Sequence, residues 1–227
     1  MGIGHVAVAL GASRAAPRLN VGWLVFAALL ADFLLGIFAF FGLEHATVPV
    51  DYASRHYLLF DVPYSHGLLA LLTWSLIFGF LASRSVGLEA RRIWLVVGLV
   101  VLSHFLLDGL VHVAGLPLIG KTSPKLGLGL WNHMPLELAL ETAMAIVGIA
   151  VYWKLAGSSS VSRYGMSIFV LLFTAMTWSQ LLVTTPPKAQ QLNVSWMVAP
   201  VVLSAIACGL DRQRERGVLV GGRVSKP

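Results

Sequence analysis

Six apolar runs, Val21 to Leu43, Ser65 to Ser83, Ile93 to Gly115, Met134 to Leu155, Met166 to Val183 and Val194 to Leu210, dominate the sequence. Each is close to the length that a helix needs to cross ~30 Å of hydrocarbon. A bilayer core offers a backbone no hydrogen-bond partners, so such runs must be helical. With 57% hydrophobic and 11% charged residues and a mean hydropathy of +0.81, an ordinary soluble domain is excluded. The sequence predicts an all-α, polytopic membrane helical bundle of about six transmembrane helices. It forms a single domain over residues 1–210, with a polar, basic cytoplasmic tail over 211–227. Ahead of the first run, Met1 to Ala16 is apolar but has no basic lead-in, and Arg14 follows the stretch. It reads as a short re-entrant or interfacial helix rather than a signal peptide.

Lysine and arginine orient the bundle. Twelve of the 16 fall on one side of the six-span arrangement, and Arg55, Lys121, Lys125 and Lys188 fall on the other. The positive-inside rule then puts both termini in the cytoplasm, with a bacterial or archaeal cell membrane as the expected location. The net charge of +6 describes this loop asymmetry and contact with anionic lipid, and is no argument for nucleic acid. Trp23, Trp94 and Trp153 near inner ends, with Trp131 and Trp196 near outer ends, fit aromatic belts. The single cysteine, Cys208, excludes a disulfide within the chain.

Against this apolar background, His104, Asp108 and His112 stand four residues apart in the third run. At about 100° per residue they lie on one stripe of a helix. Three ionisable groups on one buried face need a common partner, which makes them a functional-site candidate. His133 and Glu137 repeat the spacing at the start of the fourth run, His66 opens the second, and Asp32 lies half way through the first. Seven potential ligands from four spans thus fall between midplane and outer surface. Nitrogen and carboxylate donors of this kind suit Zn²⁺ or a similar divalent ion. Singly, Asp32 or His66 reads first as a helix–helix hydrogen-bonding group. His5 joins only if the N-terminal helix is re-entrant. Glu141 is read chiefly as a hydrogen-bonding partner of a ligand histidine, while Glu44, His45 and His56 sit in an outer loop expected to be solvated.

The ordered series His5, Asp32, His66, His104-x3-Asp108, His112, His133-x3-Glu137 resembles the YdjM-type family of membrane-bound metal-dependent hydrolases. The segment Tyr64-Ser65-His66-Gly67 and the helix Ser103 to Asp108 carry the match. The ligand order is also similar to that of the zinc-dependent bacterial phospholipase C and single-strand nuclease group. This resemblance covers about the first 140 residues. It implies two or three zinc ions, with Asp108 bridging and metal-activated water attacking a phosphoester of a lipid or lipid-linked substrate. Asp32, His66, His104 and Asp108 would hold one ion, and Asp108, His112, His133 and Glu137 its neighbour. Asp108 and Glu137 would then be the catalytic carboxylates. The connection Leu116 to Asn132 offers Lys121 and Lys125 to an anionic head group, as a lid or as an ordinary interfacial loop. The competing class is a proton-coupled zinc transporter; haem ligation fits the neighbouring carboxylates poorly.

The charge-derived topology is checked by labelling. A cysteine introduced beside Lys121, with Cys208 replaced, is expected to react with a membrane-impermeant thiol reagent in intact cells. Labelling only after the membrane is broken would invert the orientation.

Overall fold

Apolar runs become helices because each residue's N–H and C=O can then be satisfied within its own segment. In the computed structural model, nine α-helices carry most of the described residues, which are 2–84, 89–157 and 159–221, with side chains through residue 212. In chain order they are α1 (Ile3–Ala12), α2 (Val21–Ala28), α3 (Leu30–Phe40), α4 (Tyr52–Arg55), α5 (Leu68–Ser83), α6 (Ala90–Val111), α7 (Met134–Ala156), α8 (Ser160–Ser179) and α9 (Ala189–Gly221). Strands β1 (His45–Thr47) and β2 (Leu59–Asp61) pair antiparallel, as do β3 (Leu116–Pro117) and β4 (Lys125–Leu126).

Among the described residues, four stretches are long and apolar enough to cross a bilayer: Ala90–Val111, Leu130–Ala156, Ser160–Leu182 and Ala189–Arg212. The pair α2 and α3, bent by 51°, makes a fifth if counted as one span. Six spans is therefore an overcount. The run from Ser65 yields only the 16-residue α5, because Ser65 and His66 are spent in a turn before it. At a rise of ~1.5 Å per residue, α5 reaches about 24 Å, short of ~30 Å. The tail also differs, since α9 continues through residues 211–221; residues 222–227, with Arg223 and Lys226, lie outside the described residues.

Helix α1 runs inside the bundle, packed against α2, α6 and α7, rather than in an interface plane. Ile3, His5, Val6, Ala9 and Leu10 are all buried, so it has no broad water-facing side. Its close approach to α7 needs glycine: a Cβ at Gly148 would sit 2.6 Å from the Ala7 carbonyl oxygen. Similarly, a Cβ at Gly36 of α3 would sit 2.6 Å from Met197 N of α9. Small residues at crossings let backbones meet where lipid supplies no hydrophobic drive. Asp211 of α9 is fully buried. It accepts from Val21 N at 2.9 Å and from the Tyr152 hydroxyl at 2.8 Å, which ties α2, α7 and α9 together. A carboxylate at the first N–H of α2 also complements that helix's positive end.

Gly148→Val should lower the thermal midpoint in detergent, at a cost of about 1–3 kcal/mol for overpacking. Gly209→Ala, where an added Cβ meets nothing within 4 Å, should not lower it. Equal midpoints for Gly148→Val and the parent protein would contradict the packing described.

Candidate metal centre

The bend between α2 and α3 has a local cause. In an unbroken helix the Ala28 carbonyl would take the N–H four residues on, that of Asp32. Here it accepts from His104 Nδ1 at 2.7 Å, so an imidazole from α6 is inserted into the ladder. A carbonyl can only accept, so His104 carries a proton on Nδ1, and as a neutral imidazole, the form that binds a metal, it presents a lone pair at Nε2.

His66 is fixed in the same tautomer by a longer chain. Glu44 accepts from Tyr64 N at 2.6 Å, Ser65 N at 2.9 Å and Ser65 Oγ at 2.6 Å. The Ser65 hydroxyl has one proton, given to Glu44, so at 2.7 Å it accepts from His66 Nδ1. In the neutral ring, His66 Nε2 is then also a lone pair. Glu44 is thus buried and structural to the site, not solvated as its loop composition suggested.

Both lone pairs face carboxylate oxygen. His104 Nε2 is 3.3 Å from Asp108 Oδ2, and His66 Nε2 lies 3.6 Å from Asp108 Oδ2 and 3.7 Å from Asp32 Oδ1. His112 Nε2 approaches the same Asp108 Oδ2 to 3.3 Å, and His5 Nε2 reaches Oδ1 at 3.1 Å. His5 stacks on His104 with ring centroids 3.8 Å apart and planes within 3°. Four imidazoles from three segments therefore converge on one carboxylate, and Asp32 stands at the edge. His112 does so from the residue that ends α6, with extended backbone rather than as a helical position.

Electrostatics favours a cation here. A lone pair facing a carboxylate oxygen with no proton between them is repulsive, and His104 Nε2 has no hydrogen-bond partner although it is buried. Two ligands held at ~2.0–2.1 Å on a tetrahedral ion stand about 3.3–3.4 Å apart, close to several of these separations. Two compact groups, His5 with His104 and Asp108, and Asp32 with His66 and His104, each place ligand atoms within 4.8 Å of one another. The cluster could hold a metal ion, and two carboxylates among neutral imidazoles match a divalent charge.

Other candidates are elsewhere. His133 is exposed in a 3-10 turn before α7 and belongs to neither group. Glu137 is buried but also outside both groups, with Oε2 unpartnered. It lines a separate cavity of about 340 Å³ with Glu141, Gly2 and Tyr57. Glu141 serves no histidine; its carboxylate accepts from Gly2 N and Gly4 N at 2.9–3.1 Å and so caps the start of α1. Neither compact group includes His112, His133 or Glu137, whereas His5 enters one of them. Lys125 pairs with Asp61 at 3.4 Å and lines a small cavity with His112, while Lys121 is exposed on the turn between β3 and β4. That connection is tied down, with Leu128 N on Gly109 O at 2.8 Å and Gly129 N on His112 O at 2.9 Å. Gly127, at φ 156°, passes so close to His112 O that a Cβ would collide.

A cavity of about 180 Å³ opens on the cluster, lined by Asp32, His66, Asp108 and His112 together with Phe60, Trp131 and Trp196. Trp131 lies with its centroid 4.2 Å from that of His112. Both tryptophans are walls of the site, a role that their position near span ends did not signal. Comparison of the chain with protein-family models, with curated proteins and with solved structures returned no match.

Ser65→Ala removes the hydroxyl between His66 and Glu44 while leaving every potential ligand in place. Divalent-metal affinity, measured by competition with a chelator, should fall about 10–100-fold. Unchanged affinity would mean that His66 is not a ligand.

Proposed function

We propose that the chain is a membrane-bound, zinc-dependent hydrolase that acts on a phosphoester of a lipid or lipid-linked substrate. The observation that carries this reading is the pair of tautomer-fixed imidazoles, His66 and His104, whose lone pairs meet the Asp108 carboxylate beside an accessible cavity. The nitrogen and carboxylate donors suit zinc, and the resemblance of the ligand series to metal-dependent hydrolases agrees with it. Bound there, the metal would lower the pKa of a water toward ~7 and polarise a phosphoryl oxygen.

The residues divide the work. His5, Asp32, His66, His104, Asp108 and His112 form the ligand set, with Asp108 offering one oxygen to His5's side and the other to His66, His104 and His112. At three protein ligands per open site, six side chains serve two ions, and a third would lack donors. Ala28 O and the Ser65–Glu44 relay hold the imidazoles in their tautomer and orientation. Phe60, Trp131 and Trp196 restrict water around the cavity. Lys125, beside His112, supplies a cation for an anionic head group, with Lys121 further out on the turn. Glu137, in the adjoining cavity, is left as a proton-handling group rather than a ligand.

Purified protein should contain zinc and cleave phospholipid-type phosphoesters in detergent, with activity abolished by chelator and restored by zinc. Asp108→Ala should remove most of the metal by elemental analysis. Glu137→Gln should keep the metal while slowing turnover by about 10²–10⁴-fold, as loss of an acid–base group does. Proton-coupled zinc flux in sealed vesicles, with no hydrolysis across an ester and phosphoester panel, would make transport the better reading.

A further inference from the structure

The ligands differ in how they are shielded. His5, His66, His104, Asp108 and His112 have side chains 1–6% exposed, whereas the Asp32 side chain is 27% exposed. Asp32 also lines two cavities, the small one at the cluster and a second of about 430 Å³ between α3, α8 and α9. That second cavity is apolar apart from Asp32 and Ser195, with Leu29, Phe173, Ala199, Pro200 and Leu203 among its walls. Its size lies within the ~300–1,000 Å³ of small-molecule sites.

The direction in which this groove opens is set by its rim. Met176 of α8 is 59% exposed and Val202 of α9 is 47% exposed. Both helices lie in stretches apolar enough to cross a membrane, and neighbouring Leu171, Leu172, Val198 and Ile206 are exposed on them as well. In a bilayer such faces contact hydrocarbon. Pro200 lies inside α9 and cannot donate to the Trp196 carbonyl, which loosens the helix beside the groove. Trp196 stands where the groove, the cluster cavity and the Glu137 cavity meet.

We infer that the groove between α3, α8 and α9 receives one hydrocarbon chain of a membrane lipid, entering sideways from the bilayer, with its polar head led past Asp32 and Trp196 to the cluster. This rests on the hydrolase reading for what happens to the head group, but the lodging of the chain does not depend on turnover. A soluble anionic metabolite would have no use for an apolar groove with a lipid-facing mouth, whereas an acyl chain moves from one hydrocarbon environment to another at little cost. Specificity for chain length then resides in α8 and α9, which contribute no ligands.

The test uses full-length, zinc-loaded protein in phosphatidylcholine nanodiscs with a small fraction of phosphatidylglycerol bearing a diazirine near the end of one acyl chain. Mass spectrometry should map cross-links to Phe173, Met176, Ala199, Val202 and Leu203 well above those on the exposed α5 residues Leu72, Leu76 and Phe80. Val202→Trp and Ala199→Trp, both at exposed positions of the lining, should each cut groove labelling about tenfold while zinc content is kept. Uniform labelling of α5 and α9, or labelling unaffected in both zinc-loaded tryptophan variants, overturns the inference. Hydrolysis without groove labelling also overturns it while leaving the reaction standing. Groove labelling without hydrolysis supports it and removes the hydrolase reading.

Discussion

Everything about the centre of this bundle follows from burying the Asp108 carboxylate where water cannot solvate it. An ionised carboxylate in that setting must be surrounded by donors or by positive charge. The fold brings four imidazoles to it, yet two of them are committed by other hydrogen bonds to face it with lone pairs. Ala28 O and Ser65 Oγ draw the Nδ1 protons of His104 and His66 outward, an arrangement by which proteins present imidazole to a metal.

That demand propagates into the backbone. His104 reaches its partner only because α2 stops at Ala28, and the resulting bend sets where Asp32 begins its own helix at the cluster. His66 is available because Ser65 to Gly67 form a turn rather than the first residues of α5, which leaves α5 shorter than a bilayer crossing. Helix α1 is drawn to the interior with its starting N–H groups held by Glu141 and its flank against Gly148. Membrane-length regularity is given up at several places, each next to a ligand.

The helical class and the His104, Asp108 pair were legible because both are local: one rests on run length, the other on helix period. His112 reaches Asp108 from beyond the end of α6, and at His133 the expected stripe is missing for a local reason too. The i, i+4 stripe exists only if both residues are helical, and His133 lies outside α7 with φ −126° and ψ 57°. Pro135, in the first turn, favours a helix beginning near Met134, so the sequence held that warning. Glu44 could not be found this way. Its partner Ser65 is 21 residues distant, and nothing in a loop of Glu44, His45 and Asp51 distinguishes the buried carboxylate from exposed ones. Trp131 and Trp196 were hidden similarly, since a tryptophan near a span end reads as an interfacial anchor whether it faces lipid or a cavity.

His104 joins these threads, since it is simultaneously a candidate ligand, a stacking partner of His5 and the side chain that completes the bend between α2 and α3. Loss of its imidazole would leave the Ala28 carbonyl without that donor, and with it the cause of the bend that positions Asp32. Asp32 is the most exposed candidate ligand and the one at the apolar groove. The groove's inner end and the buried cluster therefore share one carboxylate, and it is placed by the break at Leu29, whose backbone angles of φ −103° and ψ 8° depart from those of the helices on either side.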